Sequence, residues 1–413
     1  MIKILFYLFI FFAPFTSFFA VSGWLRLPVM INQLLLIGVI IMILQKGRLR
    51  TQWIVEEDLY LVGFLILVWI SFLFGYREQR SFNHSLAYTN SVLFYFFLSK
   101  YVITSLKISV KEISKIVCWS FLASSVIIIT DFIGKNYYNH SIRELFSQVD
   151  GVTSNMDYFI RANMFRVGGV AEEPGHMAFF YNIYFGISLY YLQIVKSEVK
   201  FKLIIALFVF AQFAMFSNAG IVLPIIAVLL IFVFDKLNNL KLSKKEISSI
   251  LLLGFSFLLI LILTRFTEYT KVFQSFIDKI LFNEGKEYTS SGARLHQWSR
   301  ALTNFIKHPV FGNGPGYGVQ EDKEGYLNLY LTILSDIGII AFIFFVAFQW
   351  SIIAKALKSD RKIRPFLFFS IITSFLHLFI IADFYNAPLW ILFFYVQLVY
   401  FENKTSFLSE KNI

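Results

Sequence analysis

Apolar stretches long enough to cross a bilayer recur along the whole of this 413-residue chain, with short charged segments between them. A helix needs about 20 mostly apolar residues to span the hydrocarbon core, and about 12 stretches approach that length. They lie near residues 3–21, 28–45, 59–75, 86–104, 115–134, 176–195, 202–217, 219–234, 247–264, 329–353, 365–383 and 387–401. The pattern predicts an all-α, polytopic membrane protein.

The composition supports the same fold class. Hydrophobic residues make up 57% of the chain and charged residues 15%, whereas a soluble domain usually carries about 25% charged residues. The 51 Phe side chains could not all be buried in one water-soluble core of this size. They are ordinary in a chain whose solvent is lipid.

Two of the stretches need separate interpretation. The first begins after Lys3 without a small-residue cleavage site, so it predicts a retained helix rather than a signal peptide. Only residues 217–220 separate the seventh stretch from the eighth. These two therefore predict either two spans or one re-entrant hairpin.

The positions of Lys and Arg predict the orientation. The basic residues of the short connections cluster at 45–50, 106–115, 196–202, 235–246 and 354–364. The positive-inside rule assigns such connections to the cytoplasm, so both termini are predicted to be cytoplasmic. Two long segments, 135–175 and 265–328, fall on the other side as large periplasmic loops of a single integral-membrane domain, 1–413. Loops of this length are usually functional or disordered, and the residues of these two favour function.

The charge and the cysteine content exclude several function classes. The net charge of +11 comes from Lys and Arg at the flanks of apolar blocks, so we expect no nucleic acid partner. Cys118 is the only cysteine and cannot form an intrachain disulfide. No Cys/His spacing typical of zinc sites occurs, and neither a metal nor another cofactor is predicted.

The end of the first long loop carries an unusual density of ionisable residues. Arg166, Glu172, Glu173 and His176 lie in the segment RVGGVAEEPGH, directly before the sixth stretch. Such groups at a membrane surface are costly unless they are paired or used. The acidic residues suit an N-terminal helix cap just as well, because Pro174 tolerates the first turn and the helix dipole favours negative charge there.

The second long loop contains a predicted interfacial helix. Arg294, His296, Trp298 and Arg300 lie in the segment SSGARLHQWSR, whose apolar positions fit an amphipathic helix on the membrane surface. An Arg there either binds a diphosphate through its planar fork or snorkels at the interface. The glycine-rich run at 312–316 lacks the features of a nucleotide-binding loop and predicts a turn back to the membrane.

Four ionisable residues lie within or near predicted spans. Asp336 and His377 are placed inside the bilayer, and Asp131 and Asp383 near helix ends. Such residues are functional candidates by default. Helix packing or an internal ion pair explains Asp336 equally well, and His377 is expected to be a hydrogen-bonded packing residue.

Together these segments resemble the O-antigen polymerase/ligase family. RVGGVAEEP at 166–174 resembles the Arg-x-x-Gly…Glu-Pro stretch that closes the first large periplasmic loop of the family. SGARLHQW at 291–298 and HPVFGNGPGYG at 308–318 resemble its Ser-Gly-x-Arg-x-x-x-Trp and His-Pro-x-x-Gly-x-Gly patterns. NLYLTILSDIGIIAF at 328–342 resembles the helix that follows the second loop. The order, spacing and topology of these segments make the resemblance specific.

Two positions depart from the family pattern. Family ligases typically place His-Asn at the start of the helix after the second loop, whereas this chain has Leu327 before Asn328. A Ser-Arg turn common between the seventh and eighth helices is Ser217-Asn218 here. The absent His favours a polymerase over a ligase.

The resemblance implies a glycosyltransferase of the bacterial inner membrane. A polymerase of this kind transfers a glycan from undecaprenyl diphosphate to a lipid-linked repeat unit, at the periplasmic face and without a cofactor. The resemblance also implies three kinds of partner, namely membrane lipid, a chain-length regulator and a flippase of the same pathway. Arg166 and Arg294 are expected to contact the diphosphate, and Glu173 is the expected base, with Glu172 and His176 as rivals. Further substrate-binding residues are expected to be Arg161, Arg265, His296, Trp298, Arg300, Tyr317, Tyr326 and Asn328.

Two other functions fit the sequence. One is an O-antigen ligase, which uses the same chemistry with lipid A core as the acceptor. The other belongs to a different class, a lipid-linked oligosaccharide flippase or other transporter. Transporters usually consist of similar halves with polar residues at mid-membrane, whereas the halves of this chain show no detectable similarity.

Overall fold

The structure is a computed structural model that describes residues 1–23, 25–46, 54–142, 160–161, 164–237, 290–322 and 325–410. Of the described residues, 76% are helical and almost none form strands. The helices are α1 (Ile2–Phe12), α2 (Leu27–Lys46), α3 (Asp58–Phe74), α4 (Gln79–Thr89), a π-helix (Asn90–Phe97), α5 (Leu98–Leu106), α6 (Val110–Tyr138), α7 (Pro174–Ile194), α8 (Glu198–Met215), α9 (Asn218–Leu237), α10 (Ser290–Lys307), α11 (Tyr317–Asp322), α12 (Leu329–Asp336), α13 (Ile339–Leu357), α14 (Arg364–His377) and α15 (Ala387–Glu410).

Three helices of the described residues are long and apolar enough to cross a membrane, namely Leu27–Gln45, Val110–Tyr138 and Ile339–Leu357. Shorter apolar helices occur at Ile2–Phe12, Asp58–Phe74 and Asn218–Val233. The chain is therefore a helical membrane protein. The predicted span at 247–264 lies outside the described residues.

The first predicted span is shorter in the structure than in the sequence pattern. Helix α1 ends at Phe12, and the described residues among 13–26 connect it to α2 without regular structure. Pro14 explains this end, because a proline disfavours the helical conformation of the residue before it and supplies no backbone N–H. The prediction of one helix over 3–21 was wrong in its second half.

The tenth predicted span is two helices. Gly338 separates α12 from α13 with a φ of 97°, a conformation that side chains with a Cβ rarely adopt. A Cβ at this position would lie 2.2 Å from the carbonyl oxygen of Val310, and the N–H of Ile339 donates to Pro309 at 2.9 Å. The end of the second long loop thus packs into the break. Asp336 is the last residue of α12 and lies outside the apolar helix α13. Its position within the bilayer stays a prediction.

The seventh and eighth stretches form two separate helices, α8 and α9, joined at Phe216 and Ser217. The stretch at 86–104 lies within a longer helical run from α4 through the π-helix to α5. In the first long loop, the described residues form a small antiparallel hairpin, β1 (Ile160–Arg161) with β2 (Met164–Phe165).

Helix α7 is the centre of the core. Nearly all of its side chains from Met177 to Leu192 are buried, which is the pattern of a helix surrounded by protein on all sides. It packs against α6, α8, α14 and α15. Aromatic stacking fills these contacts; for example, the Phe185 and Phe208 rings lie 3.8 Å apart. The first turn of this central helix therefore has a fixed position, and it carries the candidate site.

The opposite end of the helices is held by ion pairs. Lys100 pairs with Asp58, which is fully buried, and Gln397 donates to the other oxygen of that carboxylate at 3.0 Å. Lys3 pairs with Glu112 at 2.7 Å, and Glu112 also closes a capping box with Ser109. These residues belong to segments predicted to be cytoplasmic, and the orientation of this end remains a prediction.

Replacement of Lys100 by Ala should lower the free energy of unfolding by about 3–5 kcal/mol, because it leaves the buried Asp58 carboxylate without its cation. Thermal unfolding in detergent would measure the loss. Lys111→Ala, which removes an exposed lysine of the same end, is the matched control. Restoration of stability by the double variant Asp58→Asn/Lys100→Met would support the ion-pair explanation, and equal losses in Lys100→Ala and Lys111→Ala would contradict it.

Candidate active site

The candidate site is built around the N-terminus of α7. Glu173 is the N-cap residue in extended conformation, and Pro174 occupies the first turn, so the chain enters the helix directly from the first long loop. The preceding residues Val170 and Ala171 are fully buried, and the carbonyl of Val170 accepts hydrogen bonds from both the N–H and the hydroxyl of Ser17. The end of the loop is therefore fixed against the connection between α1 and α2.

Glu172 is a buried carboxylate that joins the connection between α1 and α2 to the start of α7. Its Oε2 accepts a hydrogen bond from the Thr16 hydroxyl at 2.8 Å and lies 3.5 Å from Nδ1 of His176. Its Oε1 pairs with the guanidinium of Arg26, from the same connection as Thr16. Because these partners hold both oxygens, Glu172 has a structural role in the arrangement whatever else it does.

His176 connects this cluster to the turn between α14 and α15. Its Nε2 lies 2.5 Å from Oδ2 of Asp383, and the Tyr385 hydroxyl donates to the other Asp383 oxygen at 2.9 Å. Burial raises the pKa of Asp383, but His176 and Tyr385 outweigh it and hold that pKa below its usual value. Both ring nitrogens of His176 thus face carboxylate oxygens, which suits a protonated imidazolium donating from each nitrogen.

Arg294 enters the same region from the second long loop. Helix α10 carries it, as the sequence predicted, and its Nη1 donates to the carbonyl oxygen of Ile380 at 2.8 Å. Burial lowers the pKa of the guanidinium, and the nearby Glu173 carboxylate opposes that shift. An arginine stays charged under such a shift. The structure therefore places a cation of one loop beside a carboxylate of the other.

Glu173 differs sharply from its neighbour Glu172. Its side chain is exposed, and it makes no hydrogen bond or ion pair with any residue that the structure describes. It nevertheless lies close enough to His176, Arg294 and Tyr385 to act on their charges. Glu173 is thus an accessible carboxylate within a group of cations.

His377 is the last residue of α14 and lies near His176, Arg294 and Asp383. It is buried, its ring lies 5.1 Å from that of Phe179, and its Nδ1 has no hydrogen-bond partner in the described part of the chain. The charges of His176, Arg294 and Asp383 act on it. The sequence interpretation as a packing residue agrees with the ring contact, although the hydrogen bond expected there is missing at Nδ1.

Three arginines predicted for the substrate lie elsewhere or outside the described residues. Nε of Arg166 donates to the carbonyl oxygen of Met215 at 3.3 Å, which places Arg166 at the end of α8. Arg161 belongs to β1, but its side chain is not among the described parts. Arg265 lies in the range 238–289, outside the described residues.

Arg300 and Tyr326 belong to a separate network below α10. The guanidinium of Arg300 lies 5.1 Å from the centre of the Tyr326 ring and donates to the Gly318 carbonyl at 3.1 Å. The Tyr326 hydroxyl accepts hydrogen bonds from Asn304 and Ser335, each at 3.0 Å, and its side chain is buried. These contacts give Tyr326 a packing role rather than an open ring face.

The other predicted substrate residues have varied surroundings. Asn328 is buried and caps α12, because its Oδ1 accepts from the N–H of Leu331 at 3.1 Å. Tyr317 is partly exposed and contacts Tyr76. His296 is exposed, and the indole nitrogen of Trp298 is buried without a hydrogen-bond partner among the described residues.

The glycine-rich segment forms the predicted turn, and Asp336 holds it in place. The N–H groups of Gly316 and Gly318 donate to the Asp336 carboxylate at 3.0 and 3.4 Å, and that of Gly314 donates to the Asp336 carbonyl at 2.8 Å. Gly314 has a φ of 109°, which requires glycine. The turn therefore fixes α10 relative to α12.

Sequence reasoning missed Thr16, Arg26 and Tyr385 as members of the site. Arg26 was visible as one of the few basic residues in a short non-cytoplasmic connection, and Asp383 as an acidic residue at a predicted helix end. Neither position identified a partner. No cluster of His, Cys, Asp and Glu residues suited to a metal ion occurs within the described ranges.

Comparison with known families finds a match for the part of the chain that contains α10 and the turn around Asp336. Residues 202–346, which include Arg294 and the turn around Asp336, match the family model described as O-antigen ligase. The match covers about a third of the chain and supports the resemblance to the O-antigen polymerase/ligase family. No curated protein matches the chain. Members of this family are membrane enzymes of O-antigen assembly, and the segments that carried the sequence resemblance at 291–318 and 328–342 lie within the matched range.

The two adjacent carboxylates Glu172 and Glu173 should respond differently to neutralisation. Glu172→Gln should lower the free energy of unfolding by about 3 kcal/mol, since Arg26 and His176 lose a buried counter-charge. Glu173→Gln, at an exposed position, should leave it within about 0.5 kcal/mol of the wild type. Thermal unfolding in detergent compares the two variants, and equal midpoints would show that the Glu172 ion pair does not stabilise the site.

Proposed function

We propose that this protein is a surface-polysaccharide polymerase of the bacterial inner membrane. It would transfer a growing glycan from undecaprenyl diphosphate to a fresh lipid-linked repeat unit at the periplasmic face. The observation that carries the proposal is the convergence of Arg294, Arg26, His176 and Glu173 at one end of the helices. Cations and an accessible carboxylate are what this displacement needs.

The reaction would proceed by displacement at the anomeric carbon of the donor. A hydroxyl of the acceptor sugar forms the new C–O bond while the bond from the anomeric carbon to the diphosphate oxygen breaks. The electron pair leaves with the lipid diphosphate, whose growing charge Arg294 and the neighbouring cations would stabilise. No nucleotide or metal is needed to balance these steps.

Glu173 is the group best suited to accept the hydroxyl proton. It is exposed, unlike Glu172, whose two oxygens are already engaged by Thr16 and Arg26. His176 faces a carboxylate at each ring nitrogen, so it is better suited to hold a positive charge than to act as a base. This assignment does not require the histidine that Leu327 replaces.

The proposed orientation follows from the predicted topology. Both termini would be cytoplasmic, and the segments that build the site would face the periplasm, where lipid-linked glycans are exposed after flipping. A flippase and a chain-length regulator of the same pathway are the proposed protein partners. Arg161, Arg265 and Arg300 are retained as secondary candidates for substrate contact.

Replacement of Arg294 should abolish the ladder of polymer products made by purified protein from a lipid-diphosphate oligosaccharide. Arg294→Ala removes the charge, and Arg294→Lys keeps the charge but loses the planar fork, so both should lose at least about 100-fold in turnover. Arg361→Ala, an exposed position at the opposite end, is the control. Full activity of Arg294→Lys would refute the bidentate contact.

Glu173→Gln should reduce turnover by about 100-fold or more, because the amide cannot accept the proton. The same assay of polymer products measures it, in protein whose unfolding midpoint matches the wild type. Unchanged turnover would remove Glu173 as the base and leave Glu172 or His176.

An O-antigen ligase is the second candidate, and the description of the matched family model favours it. The residue Leu327, at the position of the ligase histidine, favours the polymerase. Deletion of the gene separates the two, because loss of a ligase leaves lipid-linked polymer accumulated and loss of a polymerase leaves single repeats on lipid A. Transbilayer movement of the lipid without products would instead indicate a flippase.

A further inference from the structure

Aromatic side chains form a continuous run from Asp383 to the connection between α3 and α4. Phe384, the residue after Asp383, stacks on Tyr88 with 3.4 Å between ring centres and lies 6.5 Å from the ring of His84. His84 packs against Gly316, where an added Cβ would lie 2.7 Å from its ring. The next residue, Tyr317, contacts Tyr76 in an edge-to-face arrangement at 6.0 Å.

The surface around this run is polar and accessible. The exposed side chains of the connection and of the first turns of α4 are Arg77, Glu78, Gln79, Arg80 and Asn83. Tyr76 and Tyr317 are partly exposed, and Tyr385 is 37% exposed. Two neighbouring apolar features are also exposed, namely Phe82 in the first turns of α4 and the pair of Phe74 with Phe311, as expected of rings that face lipid. The tyrosine run is distinct from them because its rings carry hydroxyl groups.

Contacts within the protein fix the backbone around Tyr76 and Tyr317 in the absence of a ligand. The N–H of Tyr76 donates to the carbonyl of Asn313 at 2.7 Å, and Gly314 packs against the Tyr76 backbone. The Asp336 contacts hold the same turn from the other side. A preorganised surface loses little conformational entropy on binding.

We propose that Tyr76, Tyr317 and Tyr385 form the surface that binds sugar rings of the acceptor glycan. Sugar rings present C–H groups on their faces and hydroxyls at their edges, and aromatic faces bordered by amide and charged side chains match both. This inference rests on the proposed polymerase function. It adds residues of the α3–α4 connection and of the α14–α15 turn to the site.

The position of the cations assigns this surface to the acceptor rather than to the donor. Arg26, which pairs with Glu172, and Arg294, which donates to the carbonyl of Ile380, are the cations that would hold the donor diphosphate. The cation beside His84 is Arg80 instead. In a direct displacement the attacking hydroxyl approaches from the face opposite the leaving group. A glycan on the tyrosine run would therefore bring its hydroxyl to Asp383 and Glu173 from the far side.

Kinetics with separate donor and acceptor would test the assignment. The donor is lipid-linked polymer made by the wild-type protein, and the acceptor is an isotopically labelled single repeat on its lipid, extracted from cells lacking the gene. Tyr76→Ala and Tyr317→Ala should each raise the KM for the acceptor about tenfold, as expected for the loss of one aromatic contact. The kcat and the KM for the donor should stay unchanged. Phe74→Ala, the lipid-facing control, should change neither KM.

Saturation-transfer NMR provides a measurement that does not depend on turnover. The probe is the single-repeat oligosaccharide released from its lipid, with the protein in nanodiscs. Binding to wild type and Phe74→Ala, but not to Tyr76→Ala/Tyr317→Ala, supports the surface. If that pattern holds while the wild type forms no polymer, the polymerase function fails and the surface stands. If the wild type polymerises but the variants bind normally, or if the donor KM rises instead, the surface assignment is overturned.

Discussion

The buried carboxylate of Glu172 is the interaction on which the site depends. A charge at this depth has no water to solvate it, so its oxygens must be matched by protein groups. Thr16, Arg26 and His176 supply that match from two distant segments of the chain. Each of these partners would be costly to bury without Glu172. One charge therefore fixes the connection between α1 and α2 against the start of α7, and His176 extends the arrangement to Asp383.

The second long loop is held by backbone hydrogen bonds and close packing rather than by an ion pair. Backbone N–H groups of a glycine-rich turn surround Asp336, and the break at Gly338 lets the loop pack against the start of α13. Helix α10 is thereby fixed in position. Arg294 can then reach the Ile380 carbonyl beside the turn that carries Asp383. The two loops meet because each is anchored separately to the same bundle.

Most helices could be predicted from the sequence, because lipid imposes a length and an apolar composition that are visible residue by residue. The failures lie where one residue overrides a continuous apolar pattern. Pro14 ends α1 early, and Gly338 divides an apolar run whose hydropathy shows no interruption. Hydropathy measures transfer into lipid and carries no information about backbone φ. The break also separates Asp336 from the apolar helix α13, which the sequence pattern had joined to it in one stretch.

The candidate site was predictable only where its residues are close in sequence. Glu172, Glu173 and His176 drew attention as a group, and Arg294 as a cation on an amphipathic helix. The contribution of Arg26 could not be predicted, because pairing between distant segments depends on tertiary packing and not on local pattern. The sequence favoured Glu173 as the base but kept the adjacent Glu172 as a rival. Burial of one and exposure of the other separate their chemistry: an ion-paired carboxylate organises the site, and an accessible one is left for proton transfer.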